Sequence, residues 1–203
     1  MALASQVDVC NYALTLVGEQ PITSLLDNTP RARALNAIYN TERQAELTSY
    51  FWNFAIQRAQ LATLTTAPLY QFKYAYQLPA NFMKLIDVGD QYPSIDLSDY
   101  IGSDDSQWAV EGSTLCCNYA SPLWLRYTAD MTDEGAWDAA FVRAFACKLM
   151  VSVAEMLTQN TAKRQMAATL YKDAINMALR ADAMQLPPKK PNDDTWMISR
   201  INW

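Results

Sequence analysis

Histidine is absent from this sequence of 203 residues, and its absence limits the chemistry that the chain can perform. Histidine is the commonest general base, the commonest ligand of transition metals and the usual sensor of pH near neutrality. Glycine is scarce, with 5 residues, and neither a Walker-type phosphate loop nor a GxGxxG motif occurs, so nucleotide binding is not expected. We predict no catalytic residue, no cofactor and no metal ligand, and hence a protein that is not an enzyme.

Long apolar runs are missing as well. The longest uninterrupted ones are only a few residues, as at 149–151, whereas a helix that spans a bilayer needs roughly 18 or more. Residues 1–8 lack the basic start and the continuous apolar segment of a secretory signal. We expect a soluble protein that is made in the cytoplasm and has no membrane partner.

The four cysteines are widely spread and form no CxxC motif. Cys116 and Cys117 are adjacent in a strand-like run, where neighbouring side chains point to opposite faces. No histidine is present to activate a thiolate. We interpret these two residues, together with Cys10 and Cys147, as buried structural cysteines in a reducing compartment.

Basic residues are in the minority: 16 Lys and Arg stand against 21 Asp and Glu, which gives a net charge of −5 and a pI of about 4.7. Because nucleic-acid binding rests on basic contacts to phosphates, a dedicated DNA-binding role is disfavoured. The acidic residues show no catalytic or metal-binding spacing either. Asp133 and Glu134 fit a helix start, and 90–106 fits a polar loop that lacks the ligand order of a calcium site. The aspartates of that loop are Asp96, Asp99, Asp104 and Asp105.

The apolar pattern begins with two helices. Ser5 and Asp8 can form a capping box, and apolar residues then recur at helical spacing, which predicts a helix over about 5–17. Pro30 is tolerated in a first helical turn and begins a second predicted helix that ends near Thr48.

The period then changes. An aromatic block at 50–54 is expected to anchor the helices against the next part of the chain. From Tyr70 to Leu78 every second residue is large and apolar or aromatic, which is typical of a half-buried strand. A small antiparallel sheet is therefore expected between the helices. Its further predicted strands lie at 85–89, 108–110, 115–119 and 123–127, with a turn at 111–114.

Two long helices follow. Apolar residues return at helical spacing from Thr132 to Leu157 and again from Thr161 to Met184. The last helix carries two apolar stripes, which suggests two neighbours, one of them from another chain. One stripe consists of Met166, Leu170, Ala174, Met177, Ala181 and Met184, and the other of Tyr171, Ile175 and Leu179.

Residues 186–203 contain prolines that cannot continue the helix. A disordered tail has no need of the large apolar groups found here, whereas an arm that docks on a partner does. We predict an extended arm anchored by Trp196, Ile198 and Trp203, with Lys189 and Lys190 placed to contact an acidic patch. The alternative is that the tryptophans fold back onto helices of their own chain.

Together these elements predict a mainly α fold of the α+β type. The N- and C-terminal helices form an antiparallel bundle, a small antiparallel sheet is inserted between them, and an extended tail follows. The predicted units are the N-terminal helices at 1–58, the β-rich insertion at 59–130, the long C-terminal helices at 131–185 and the arm at 186–203.

This order of features resembles the tail tubular protein A group, the head-to-tail adaptors of short-tailed, T7-like bacteriophages. Segment 11–25, NYALTLVGEQPITSL, is similar to the opening motif of that family. Trp52-Asn53-Phe54 is similar to its W-x-F block, and 78–82, LPANF, to the LP step that follows. The likeness spans most of residues 5–185 and does not extend into 186–203.

The resemblance implies a ring, typically of twelve subunits, that sits beneath the portal, carries the tail nozzle and lets DNA pass. The implied partners are the portal protein, the nozzle protein and further copies of the chain. The implied location is the neck of the virion, after assembly in the host cytoplasm. Lys189, Lys190, Trp196, Ile198 and Trp203 would then lie at the portal.

Three other functions remain open at this point. Another neck component, such as a stopper, would use the same physics of assembly and would differ in its stoichiometry against the portal. A hydrolase with carboxylate chemistry would need converging acids with perturbed pKa values in a pocket. A nucleic-acid binder is disfavoured by the charge, and binding that collapses with rising salt would identify it.

Overall fold

The fold is described from a computed structural model, which covers residues 5–89 and 108–185. In these residues the chain is a mixture of α-helices and antiparallel strands, with short 3-10 helices at Asn53–Ala55 and Glu134–Ala136. The predicted combination of helices and antiparallel strands is confirmed. The helices are α1 (Gln6–Val17), α2 (Pro30–Ser49), α3 (Ala139–Thr158) and α4 (Thr161–Ala183). The strands are β1 (Ile56–Leu61), β2 (Tyr74–Gln77), β3 (Phe82–Gly89), β4 (Trp108–Glu111), β5 (Thr114–Cys117) and β6 (Leu123–Ala129).

Local signals fix the ends of the first two helices. The predicted capping box is present in α1, where the Ser5 hydroxyl accepts a hydrogen bond from the Asp8 backbone N–H (3.2 Å) and the Asp8 carboxylate accepts one from the Ser5 N–H (2.9 Å). Gly18 ends α1 with φ of 82°, a left-handed conformation that glycine adopts without a steric penalty. At α2 the Thr29 hydroxyl accepts from the Ala32 N–H (3.2 Å), and Pro30 occupies the first turn as predicted.

The core of the helical part is built around α3, which contacts α1, α2 and α4. Phe141 and Phe145 on α3 are fully buried. The Trp52 ring packs on Phe141 (centroids 4.9 Å apart) and the Tyr39 ring on Phe145 (5.3 Å), both edge to face. The aromatic block therefore packs into the helical core through Trp52, while Phe51 stays exposed.

The strands form two antiparallel sheets, and the prediction of one small sheet was wrong. The first sheet has the order β1-β6-β3 and the second β2-β5-β4. Apolar side chains from both sheets form one common cluster. Each strand of the first sheet pairs with a strand distant in sequence, so hydrophobic alternation predicted most of the strands without predicting their partners. Members of the cluster include Leu61, Tyr76, Leu78, Val88, Leu115, Cys117, Leu123, Leu125 and Tyr127.

Three strand boundaries differ from the prediction for local reasons. Strand β1 was not predicted, because its inward-facing positions include Gln57 and Ala59. Large apolar residues therefore do not alternate along this strand. Strand β2 is shorter than 70–78 because Gln71 adopts a positive φ of 68°. Strand β3 begins earlier, at Phe82, and two register shifts interrupt its alternation. A bulge moves successive side chains out of the period of two on which the prediction relied.

The start of the third helix also differs. Thr132 was predicted as its beginning, but α3 starts at Ala139, after the 3-10 helix at Glu134–Ala136. The Asp133 carboxylate caps that short helix by accepting from the Gly135 N–H (2.9 Å). Glu134 is held by the Tyr39 hydroxyl (3.0 Å). These two acids therefore have structural roles, although at a 3-10 helix rather than at the long helix.

A polar junction joins the helices to the first sheet. The Arg43 guanidinium, which is buried on α2, forms an ion pair with Asp130 and donates a hydrogen bond to the Met131 carbonyl (3.0 Å). Gln44 donates to the other Asp130 oxygen (3.0 Å). Burial raises the pKa of Asp130, but the hydrogen bonds from Arg43 and Gln44 outweigh it and hold that pKa below its ordinary value. These contacts hold the segment between β6 and the C-terminal helices against α2.

Candidate functional site

Helix α4 buries one narrow face of small residues against the rest of the protein. Its N-terminus is capped by the Asn160 side chain, whose oxygen accepts from the N–H groups of Ala162 (2.9 Å) and Lys163 (3.4 Å). The buried residues of its inward face are Ala167, Ala174, Ile175, Ala178 and Asp182. Small side chains allow the two helix axes to approach closely, and α3 is the main neighbour of α4.

The predicted stripe of Tyr171, Ile175 and Leu179 lies on this inward side. Ile175 is buried, and Tyr171 and Leu179 pack half-buried against the helical core. The stripe that begins at Met166 is divided in the structure. Ala174 is buried and Leu170 half-buried, whereas the methionines point to the surface.

Three exposed methionines lie along one side of α4, with the exposed Asp173 between the first two, and we call this set the methionine face: Met166, Met177 and Met184. Their spacings of 11 and 7 residues are close to three and two turns of an α-helix, so the side chains lie nearly in line. Their relative exposures are 54%, 60% and 85%. Apolar residues on one side of a helix are normally covered, and an uncovered line marks a surface for another segment or another protein.

The end of α4 beside Met184 is fastened to the body of the protein. The Asn53 backbone N–H donates to the buried Asp182 carboxylate (2.9 Å), and the Asn53 side-chain amide donates to the Asp182 carbonyl (2.7 Å). Gln185 donates to the Asp138 carboxylate (3.0 Å). Burial raises the pKa of Asp182. The C-terminal end of α4 is therefore held in a fixed position.

A second exposed apolar surface lies in the loop between β1 and β2. Leu69 is 100% exposed and Tyr70 80% exposed. Residues 62–72 contain no charged side chain. Exposed aromatic and leucine side chains in an uncharged loop are typical of residues that become buried on association. Sequence reasoning missed this surface because it assigned Tyr70 to a strand.

The most chemically distinctive cluster is a buried polar junction between α2, α3 and α4. The Glu46 carboxylate, 2% exposed, accepts a hydrogen bond from the Tyr171 hydroxyl (2.9 Å). The Lys148 ammonium lies 5.2 Å from the Tyr171 ring centroid and 3.8 Å from the Glu42 carboxylate. The Ser152 hydroxyl also donates to Glu42 (2.8 Å).

This junction holds α4 against α2 and α3. Burial raises the pKa of Glu46, and burial together with the Glu46 charge raises the pKa of Tyr171. The hydrogen bond from the Tyr171 hydroxyl gives the buried Glu46 carboxylate a partner inside the protein. Sequence reasoning did not single out Glu46 or Tyr171, since they are 125 residues apart.

The cysteines are free and buried, as predicted. Cys117 packs in the cluster between the sheets, and Cys116 points to the other face against Phe72 and Ala75. Burial raises the pKa of both thiols, and it raises the pKa of Cys10 to about 12. A thiol held in its protonated form is a poor nucleophile.

The aspartates of the predicted polar loop at 90–106 lie outside the described residues. The predicted portal contacts also lie outside them: Lys189, Lys190, Trp196, Ile198 and Trp203. Within 5–89 and 108–185, no three acidic or cysteine side chains come together in a way that could hold a metal ion. Among the helices of the same residues, none has the length and hydropathy that crossing a bilayer requires.

No model of a known protein family matches this chain, and no curated protein matches it significantly.

Proposed function

We propose that this chain is a structural head-to-tail adaptor of a tailed bacteriophage, which forms a ring under the portal and connects it to the tail nozzle. The observation that carries the proposal is the methionine face, a set of exposed apolar side chains that extends to Met184 at the C-terminal end of α4. Such a set suits contact between protein subunits. The order of the sequence motifs is similar to that in the tail tubular protein A group. This similarity is the reason for proposing a ring under the portal.

A ring needs two different surfaces on each subunit, because each copy meets its neighbours head to tail. The methionine face and the loop of Leu69 and Tyr70 are two such surfaces on separate elements. In the proposed architecture the helices of 1–58 and 131–185 act as a bundle, and 59–130 is the β-rich insertion. Residues 186–203 are the arm that reaches along the portal.

The arm is proposed to bind the portal through Trp196, Ile198 and Trp203, with Lys189 and Lys190 beside them. Asn53 and Gln185 support this role because their hydrogen bonds fix the helix end from which the arm departs. The net charge of −5 suits a channel through which DNA slides without contacts that displace counterions. We further propose that the protein has no enzymatic activity and resides in the neck of the virion.

The proposal is tested by mixing the purified chain with purified portal and imaging the particles by electron microscopy. We expect a ring of the chain on one end of the portal, with as many subunits as the portal in an adaptor and a different number in a stopper. Ending the chain after Leu186 should remove most of the portal affinity. An Asp193→Asn variant is the matched control within the arm and should bind as the unmodified chain does. Unchanged affinity after truncation would exclude the arm.

A further inference from the structure

We propose that, in the free subunit, residues 186–203 dock on the methionine face of their own α4. The segment begins directly after Gln185, one residue past Met184, so it starts at one end of this face. The face is otherwise without a cover among the described residues.

The reach of the segment suits the length of the face. Met166 and Met184 are 18 residues apart on the helix, which is about 27 Å at 1.5 Å per residue. Residues 186–196 alone extend to roughly 35 Å at about 3.3 Å per residue. After a reversal near Pro187 and Pro188, both Trp196 and Trp203 can therefore lie along the methionine face.

The composition of the segment suits the chemistry of the face. Its last eight residues hold the apolar side chains Trp196, Met197, Ile198, Ile201 and Trp203. Methionine is flexible and polarisable and makes favourable contacts to aromatic rings through its sulfur. Because the segment is tethered beside the face, its effective concentration is in the millimolar range, so weak contacts suffice to hold it.

Docking would give the arm two alternative positions, and this consequence rests on the proposed function. In the free subunit the arm covers the methionine face and opposes contact with further copies. When the arm moves to a portal, the face becomes available to the neighbouring subunit. Ring contacts would then form preferentially on a portal.

The first test uses methionine oxidation to measure how far the methionine face is covered in the isolated chain, with no portal present. Peroxide converts exposed methionine to its sulfoxide, which mass spectrometry quantifies at each site. In a full-length variant with Trp196→Ser, Ile198→Ser and Trp203→Ser, we expect Met166, Met177 and Met184 to oxidise at least threefold faster than in the unmodified chain. Met156, 60% exposed on α3, is the internal control and should not change. Unchanged rates at the methionine face, or equal acceleration at all four methionines, would overturn the proposal.

The second test locates the arm. A Met177→Cys, Ile198→Cys pair should form a disulfide within one chain under mild oxidation, at a rate independent of protein concentration. Lys172→Cys with Ile198→Cys is the matched control, since Lys172 is exposed on a different side of α4. We expect the first pair to react at least tenfold faster. Equal rates, or disulfides mainly between chains, would contradict docking on the same chain. Failure of the adaptor proposal would show separately, as absence of portal binding.

Discussion

Asn53 and Asp182 show how much of this structure rests on pairs that are distant in sequence. Asn53 follows the aromatic block, Asp182 lies on the buried side of the last turn of α4, and two hydrogen bonds join them. The sequence signals the aromatic block but not its partner, since a lone aspartate 129 residues away carries no local pattern. Helix caps are different. The capping box of Ser5 and Asp8 was predictable because both members lie within one turn.

Replacing Asn53 by alanine tests this contact. Asn53→Ala removes the side-chain hydrogen bond to the Asp182 carbonyl, which then still accepts from the Gln185 backbone N–H (3.1 Å). We expect the free energy of unfolding to fall by about 0.5–1.5 kcal/mol, as for a typical intramolecular hydrogen bond. Chemical denaturation measures the loss. Asn40→Ala, at an exposed position on α2, is the control and should not destabilise the protein. Equal effects of the two substitutions would show that the contact adds no stability.

Glu46 gives the structure a defined dependence on pH. Burial raises its pKa above the ordinary value of 4.5, so the folded state binds the proton more tightly than the unfolded state does. The associated stability is therefore fully present below the unfolded pKa and is lost as the pH rises through the folded pKa. Glu46→Gln removes this pH-dependent contribution to stability and keeps an acceptor for the Tyr171 hydroxyl.

We expect the stability of Glu46→Gln, relative to the unmodified protein, to improve as the pH rises above the ordinary value of 4.5 and through the raised pKa of Glu46, because only the unmodified protein loses this contribution. Thermal unfolding at a series of pH values measures the difference. Glu155→Gln removes an exposed carboxylate from α3 and serves as the control. A stability difference that stays constant with pH would show that Glu46 does not titrate differently in the folded and unfolded states.

At the scale of elements, a feature was predictable when the contacts that determine it lie close together along the chain. The boundaries of α1, α2 and α4 follow from caps and from apolar spacing, and they were predicted within a few residues. The pairing of strands into two sheets depends on contacts between distant segments, and the bulges of β3 hide its alternation. For the contact between α3 and α4, the apolar periodicity of each helix was predictable. Which stripe of α4 would remain exposed was not predictable, because small alanines form its buried face.

The alanine face of α4 yields a prediction at this scale. Ala178 is 1% exposed and belongs to the helical core. Ala178→Leu adds three carbon atoms where the packing leaves little room, so we expect a loss of about 1–3 kcal/mol in the free energy of unfolding. Ala181→Leu, at an exposed position on the same helix, should change stability by less than about 0.5 kcal/mol. Equal effects of the two substitutions in denaturation would show that α3 and α4 are not closely packed.

At the scale of the whole molecule, the structure combines a well-packed interior with apolar surface that the described residues leave uncovered. The helical core and the cluster between the sheets are filled, and Met131 packs against both. Buried polar groups such as Glu46 and Arg43 largely have partners. The methionine face and the Leu69 loop therefore stand out as surfaces that do not serve the stability of the single chain.

Replacing the three exposed methionines with glutamine separates folding from assembly. The variant Met166→Gln, Met177→Gln, Met184→Gln keeps the length of each side chain and its helix propensity, and all three positions are exposed among the described residues. The free energy of unfolding of the isolated subunit should therefore stay within about 0.5 kcal/mol per substitution of that of the unmodified protein.

Each methionine buried between subunits would contribute roughly 1.5–3 kcal/mol, so fewer subunits should be retained per portal when the complex is analysed by mass photometry. Met156→Gln, exposed on α3, is the matched control and should leave the count unchanged. If the triple variant formed rings with the full number of subunits, the methionine face could not be the contact between neighbours, and the apolar loop at Leu69 would be the next surface to test.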